Sequence, residues 1–361
     1  MIQLQVFTDL IKEHKTWSDF FNKYEHIFRF KNFGDTYCVI RYTDTLHNDS
    51  LMDAFRSVVW NMKTHRPVCV APVKSQSSFL PNLPDLHISQ IVEGTMMNVF
   101  RDDENKIRFV TRSNLDATNK FQSEMSFGSM FQEALVESQL DFSFLQQGEY
   151  VNCVLQHPEN RIVSFVSKPK VFITHTGKVL ENGIVEYSHI LPNHLQRYGP
   201  HVFKNLDVVS NPIFKSFNNK GFMIQDSNSS NRWKIINPEY LKVQDLRGND
   251  SCNVTRFLHL RKEGKVKEYL KYFREDSELF WGLEEKLRQR THELYEAYVD
   301  MNKLKKKTMK DLPYCFRPHI YKIHGDYLKT LPNPVPVLKE TIVKFVNELT
   351  VDEQENIMRG V

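Results

Sequence analysis

Basic side chains next to several predicted strands are the residues of this chain that could bind anionic groups. Arg112 lies in the segment FVTRS, Arg161 follows HPEN, Lys220 precedes GFMIQD and Lys234 lies in RWKII. Arginine and lysine bind phosphate through charge-assisted hydrogen bonds, but they are also the usual solvated residues at strand ends. Both interpretations stay open for Arg112, Arg161 and Lys234.

Two other groups of candidate residues carry weaker signals. His157 and His175 lie beside predicted strands. An isolated histidine is more often a hydrogen-bonded or surface residue than a catalytic one, so we assign no role to either. The run LKKK contains Lys305, Lys306 and Lys307. These lysines could bind an RNA backbone, but we favour a solvated helix end, where lysines also complement the helix dipole.

The elements that must position these residues are short strands between residues 28 and 240. Segments of β-branched and aromatic residues alternate there with Asp, Asn, Gly and Pro, which predicts an antiparallel-rich α+β domain. Asp and Asn in DDEN, residues 102–105, predict a hairpin turn between two of these strands. The predicted strands are TYCVIRY, SVVWNM, GTMMNVF, KIRFVTRS, YVNCVLQ, RIVSFV, KVFITHT, GIVEYS, GFMIQD and RWKII.

Helical spacing of apolar residues is found on both sides of this region. Residues 2–27 predict a short pair of amphipathic helices, and the chain from about residue 252 onward has apolar residues three and four apart, with Pro and Gly only at the edges of the segments. We therefore expect an N-terminal helical segment at 1–27, a β-rich domain at 28–250 and a helical C-terminal domain at 251–361.

Composition excludes several classes of protein. The 361 residues are 40% hydrophobic and can build real cores, but the apolar runs are far shorter than the ~20 residues of a membrane helix. The N-terminal sequence lacks a secretory pattern, and the five scattered cysteines contain no CxxC pair. These observations predict an intracellular protein in a reducing compartment, with no membrane association and no metal site.

Five short motifs occur in an order that resembles the covalent nucleotidyltransferase superfamily. The segments IVEGTMMNVF, FVTRS, HPENRIV, GFMIQD and RWKIINPEY follow one another over about 190 residues, as in phage-type RNA ligases and their relatives in large DNA viruses. The resemblance implies an antiparallel-rich nucleotidyltransferase, or ligase-like, domain with a nucleotide pocket. It also implies a viral protein, located in the host cytoplasm or the virion.

The residues at the catalytic positions depart from that family. Its KxDG motif supplies a lysine that attacks the α-phosphate of the nucleotide. Here the motif reads IVEG, so Ile91, which has no lone pair, stands at the lysine position. Val154 aligns with a glutamate, and Lys220 aligns with a glutamate that would hold divalent metal. The resemblance therefore implies no catalytic residue and no metal.

The cations of the family's pocket are largely kept. Lys234 matches the first of two motif lysines, whereas Ile236 replaces the second. From the resemblance we expect a nucleotide-binding set and, with the LKKK run, a nucleic-acid-binding set. The first set is Arg56, Glu93, Arg112, Lys220 and Lys234, and the second is Arg161, Lys305, Lys306 and Lys307.

Three functions stay open at this point. The favoured one is a catalytically degenerate RNA ligase-like protein that binds nucleotide, RNA ends or a protein partner and needs no cofactor. The first alternative is an active RNA ligase or nucleotidyltransferase that uses ATP, Mg²⁺ and a non-standard lysine such as Lys74. The second alternative is a structural subunit of a viral assembly, with the helical C-terminal domain contacting a protein partner.

Overall fold

The computed structural model describes residues 1–43, 50–77, 85–205, 215–250 and 252–360. The chain divides into two compact units, Met1–Gln244 and Asp245–Val361. The finer division at residues 27 and 250 stays a prediction.

Antiparallel pairing joins the strands of the first unit. The described strands form sheets with the orders β1-β11-β10-β9-β7-β8, β12-β6-β13-β14 and β2-β3-β4-β5. This confirms the antiparallel-rich α+β class. The bounds are β1 Ile2–Leu4, β2 Phe28–Phe33, β3 Tyr37–Tyr42, β4 Val58–Asn61, β5 Arg66–Val70, β6 Leu86–Gln90, β7 Thr95–Arg101, β8 Ile107–Val110, β9 Glu149–Gln156, β10 Lys170–Val179, β11 Val185–Ser188, β12 Val202–Phe203, β13 Gly221–Asp226 and β14 Arg232–Ile236.

Helices flank this region at both ends of the chain, and the C-terminal unit is helical as predicted. Within the part of the chain that the structure describes, no helix is both long and apolar enough to cross a membrane. The bounds are α1 Val6–Glu13, α2 Trp17–Tyr24, α3 Ser50–Ala54, α4 Phe127–Ser138, α5 Pro238–Arg247, α6 Asn253–Lys262, α7 Val266–Tyr272, α8 Ser277–Tyr298, α9 Arg317–Lys329, α10 Lys339–Glu348 and α11 Val351–Arg359.

The predicted hairpin turn at residues 102–105 is confirmed. Strands β7 and β8 pair antiparallel up to Arg101 opposite Ile107. The Asp102 carboxylate accepts hydrogen bonds from the backbone N–H groups of Glu104 at 3.0 Å and Lys106 at 2.8 Å. The side chain that predicted the turn thus binds the backbone of the turn.

The predicted strand RIVSFV, residues 161–166, is wrong. Side chains occupy the backbone groups that a sheet ladder would need. The Glu93 carboxylate accepts the N–H groups of Val163 and Ser164, and the Arg161 guanidinium donates twice to the carbonyl of Val163. Because side chains satisfy these groups, the segment is stable without a neighbouring strand.

Helix α4 packs on one face of the six-stranded sheet, and part of the opposite face packs in a core with residues of β2, β3, β4 and β5. Val151, Cys153 and Leu155 of β9 share a core with Phe131 of α4. The alternate residues of a strand point to the opposite face. Ile173 of β10 joins the same core, and a register shift then follows it.

Candidate functional site

A cavity of about 600 Å³ is lined by residues of the six-stranded sheet and of the sheet that contains β6, β13 and β14. Asn152 and Val154 of β9, which alternate with the α4-facing residues, line it. The register shift in β10 brings both Thr174 and His175 to the cavity wall. A bulge commonly re-aims side chains in this way.

Several positions that the motifs singled out meet in this cavity. Ile91, Val154, Lys220 and Lys234 all line it. Gly94 lines it as well and has φ +148°, where a Cβ atom would lie 2.1 Å from the carbonyl oxygen of Leu155. Only glycine fits such a position, because the conformation and the close approach both exclude a side chain.

The charged side chains that line the cavity, among the described residues, are Arg56, Lys220, Arg232 and Lys234, together with three histidines, and no carboxylate lines it. Burial lowers the pKa of Lys220; Lys234 and Arg56 lower it further, while Glu93 opposes them. The Nζ atom of Lys220 lies 5.5 Å from the centre of the Tyr240 ring. The cavity is therefore positively charged, and its cations repel one another.

Glu93 does not line the cavity, although its carboxylate raises the pKa of Lys220. Its side chain is buried, at 4% exposure, and both carboxylate oxygens are within 3.1 Å of the Ser164 N–H. The Val163 N–H donates to it at 2.9 Å. Because the carboxylate already accepts hydrogen bonds from the backbone of residues 163–164, we do not keep Glu93 as a nucleotide ligand.

Arg112 and Lys74 lie together at Tyr42, and neither lines the cavity. The guanidinium carbon of Arg112 is 4.9 Å from the Tyr42 ring centre, and Lys74 Nζ is 5.5 Å from it. Arg112 also donates to the backbone carbonyl of Arg56 at 3.4 Å. Of the predicted nucleotide-binding residues, the cavity thus brings together Arg56, Lys220 and Lys234.

The predicted nucleic-acid-binding residues are divided between the two units. Arg161 binds the Val163 carbonyl and lies 5.8 Å from the ring centre of Phe165. The lysine run belongs to the second unit, where Lys307 forms an ion pair with Asp300 at 2.9 Å. This partner raises the pKa of Lys307.

Arg232, His87 and His189 line the cavity but were not predicted. Arg232 had a sequence signal, because alternation along RWKII places it on the same face as Lys234. The two histidines come from separate strands or their ends and carry no local motif. Only the pairing of strands brings them together.

The cavity wall does not offer the ligands of the Mg²⁺ ion that the first alternative requires. Magnesium is bound through carboxylates and phosphates, and among the described residues no carboxylate lines the cavity wall. In the described ranges, no group of three His, Cys, Asp or Glu side chains is arranged to hold a metal ion. We therefore derive no chemical step through a metal.

Comparisons with known proteins give structural neighbours only. No family model matches the chain, and no curated protein matches it. Among solved structures, the first form of an archaeal ATP-dependent RNA ligase is similar at 12% identity and TM-score 0.45, covering 77% of this chain and 73% of the ligase. A second form has the same identity and TM-score and covers 79% and 82%.

Proposed function

We propose that this protein binds the phosphate groups of a nucleotide, or of a nucleotide at an RNA end, in the cationic cavity, and that it forms no covalent nucleotide intermediate. The observation that carries the proposal is the charge of the wall. Arg56, Lys220 and Lys234 line the cavity, and among the described residues no carboxylate lines it with them. Cations that are held in a partly buried site bind phosphate strongly, because solvent screens them little.

The apolar residues of the wall argue against catalysis. Ile91 and Val154 line the same cavity as the cations, so the two positions that the motif comparison assigns to nucleophile and carboxylate are together and chemically inert. Lys74, the substitute lysine, lies at Tyr42 outside the cavity. Nucleophilic attack requires contact between the reacting atoms, and this placement does not provide it.

The test is intact-mass measurement after incubation with ATP or GTP and with Mg²⁺ or Mn²⁺, together with calorimetric titration of the same nucleotides. We expect binding without a mass increase, and an affinity that chelation by EDTA changes by less than about twofold, since no carboxylate holds metal. An adduct of one nucleotide monophosphate would overturn the proposal. Peptide mapping would then identify the lysine, with Lys220, Lys234 and Lys74 as the candidates.

Two charge-reversal variants distinguish nucleotide binding in the cavity from non-specific electrostatic attraction to the protein. Lys220→Glu puts a carboxylate against the phosphates and should weaken nucleotide binding by more than about 100-fold. Lys23→Glu makes the same charge change at an exposed position of α2 and should leave the affinity within about twofold. Equal losses in both variants would show that the cavity is not the binding site.

A further inference from the structure

One end of the cavity contains a group of residues that the proposed function does not use. His175 and His189 lie with ring centres 6.5 Å apart, and His87 lies 4.8 Å from His189. These three histidines and Arg232 all line the cavity. We call His87, His175, His189 and Arg232 the histidine–arginine group. Its members come from β6, β10, β14 and the residue after β11.

Several polar atoms of this group are buried without a partner among the described residues. His189 is 6% exposed, and neither ring nitrogen has a hydrogen-bond partner. Arg232 is 7% exposed; its Nη1 donates to the carbonyl of Val73 at 3.0 Å, but its Nε has no partner. His175 donates from Nε2 to Gln225 at 2.8 Å, and its Nδ1 has no partner. Such atoms are costly to bury unless something binds them.

The charge balance of the group indicates what that ligand is. Burial and then Arg56 lower the pKa of Arg232 to about 9, and Tyr187 opposes them. The guanidinium is thus buried near a second cation, and no described carboxylate lines the cavity beside it. Removing a cation from water without a counter-charge is energetically costly. An anion in the cavity offsets this cost, whereas a neutral ligand does not.

The histidines face few negative groups. The pKa of His189 is lowered to about 4, first by burial and then by His87 and Arg232. Asp226 opposes this shift, and the α-amino group of Met1 adds to it. Burial and then Arg232 hold the pKa of His175 far below its ordinary value, and Arg56 adds to this. Burial also lowers the pKa of His87. The Asp226 carboxylate already accepts from Asn228 N–H and Ser229 Oγ.

We propose that the histidine–arginine group is an oxyanion-binding subsite that takes a phosphate or sulfate group, in addition to the phosphate-binding end formed by Lys220 and Lys234. Arg232 supplies a positive charge in neutral and acidic solution, and the unpartnered ring nitrogens of His175 and His189 become donors when they are protonated. The anion and the protons then stabilise each other's binding. The proposal shares the cavity of the proposed function, but it does not depend on a nucleotide being the natural ligand.

Sulfate is the probe that tests the subsite, since its charge stays the same between pH 8 and pH 5.5. Calorimetric titration of the full chain should show sulfate binding that tightens by about tenfold or more over this range, because each proton taken up contributes up to tenfold per pH unit. Inorganic phosphate and a nucleoside monophosphate, titrated in parallel, distinguish a free anion from the phosphate of a nucleotide.

Variants test whether the pH-dependent binding of sulfate arises from the histidine–arginine group. Arg232→Met should abolish the tight binding at pH 5.5, Arg232→Lys should restore part of it, and His189→Asn should remove most of the pH dependence. His26→Gln, a change at an exposed histidine, should behave as the wild type. Circular dichroism and denaturant titration check that each variant is folded.

The result that overturns the subsite is sulfate binding that is absent, or that does not change with pH, in a folded wild-type protein. Retention of the full pH dependence in His189→Asn would overturn it as well. The double variant Lys220→Met and Lys234→Met separates the two proposals. It should lose nucleotide binding and keep the pH-dependent sulfate binding, so that either proposal can fail alone.

Discussion

Positive side chains have carboxylate partners on the helical second unit, whereas no described carboxylate lines the cavity of the first unit beside its cations. In the second unit, Arg261 pairs with Glu284 at 3.0 Å and Lys307 pairs with Asp300 at 2.9 Å. Exposed ion pairs of this kind contribute about 0–1 kcal/mol. In the cavity, the cations have no described carboxylate beside them in the wall. The difference shows that a lysine-rich run in the sequence does not by itself indicate unpaired positive charge in the structure.

The largest expected effect is a loss of stability on substitution of Gly94, which lies in the closely packed wall of the cavity. Gly94→Ala places a Cβ atom 2.1 Å from the Leu155 carbonyl and 2.8 Å from a methyl group of Val154, in a backbone conformation that alanine rarely adopts. We expect a loss of more than about 3 kcal/mol in the free energy of unfolding. Denaturant titration followed by tryptophan fluorescence measures it.

Gly282→Ala is the matched change in the helical unit. Gly282 lies in α8, and a Cβ atom there meets nothing within 4 Å. Alanine should stabilise the protein by about 0.5–1 kcal/mol, because glycine is a poor helix residue. Similar effects of the two substitutions on the free energy of unfolding would contradict the close packing of Gly94 against β9.

The second effect is a loss of stability in acid that arises in the cavity. The pKa of His189 is lowered to about 4 from its ordinary 6.5. The unfolded chain therefore binds more protons below pH 6.5, and the free energy of unfolding falls as the pH falls from 6.5 toward 4. For His189 alone the loss is about 2 kcal/mol at pH 5. Urea titrations between pH 7.5 and pH 5 measure it.

His189→Asn should make this pH profile shallower, since asparagine does not titrate while the contribution of His175 remains. His292→Asn, at a half-exposed histidine near Glu296, should keep the wild-type profile. Sulfate should reduce the acid loss if the subsite exists, because an anion favours the protonated histidines. A profile that is unchanged in His189→Asn would show that acid acts elsewhere.

The smallest effect concerns the lysine run. If it touches RNA, replacing Lys305 and Lys306 with Ala should reduce the slope of log affinity for single-stranded RNA against log salt by up to about 1.4, at ~0.7 per phosphate contact. Lys307→Ala should change the slope less, because Lys307 pairs with Asp300. Filter-binding titrations from 50 to 300 mM salt, a range chosen to span weak and strong screening, measure the slopes. Equal slopes in all variants would leave the cavity as the RNA-binding candidate.

Local signals in the sequence predicted much of the fold. The Asp102 turn, the strands around Asn152 and His175, and the helical C-terminal region follow from side-chain periodicity and turn chemistry over short stretches. The motif order also selected Ile91 and Lys220, which the structure places in one cavity. Periodicity alone could not have joined them, since they are more than a hundred residues apart.

The misses arise from interactions between distant residues. The segment RIVSFV has a strand-like composition, but the Glu93 carboxylate binds its backbone from 70 residues away. His189 and Arg232 carry no joint signal in the sequence, because they meet only when strands from separate parts of the chain pack together. Burial then changes the pKa of both groups. The local sequence indicates neither the distant Glu93 partner nor the burial of His189 and Arg232.

The bonds of Glu93 have a consequence for how relatives of this protein are compared. An acidic residue at this position is easily counted as a surviving catalytic residue. Here its carboxylate holds the N–H groups of Val163 and Ser164, a task that is independent of any reaction. Selection for folding alone is therefore enough to preserve the acid, whichever residue stands at position 91. In an alignment of relatives, Glu93 should vary together with the 163–164 segment rather than with position 91.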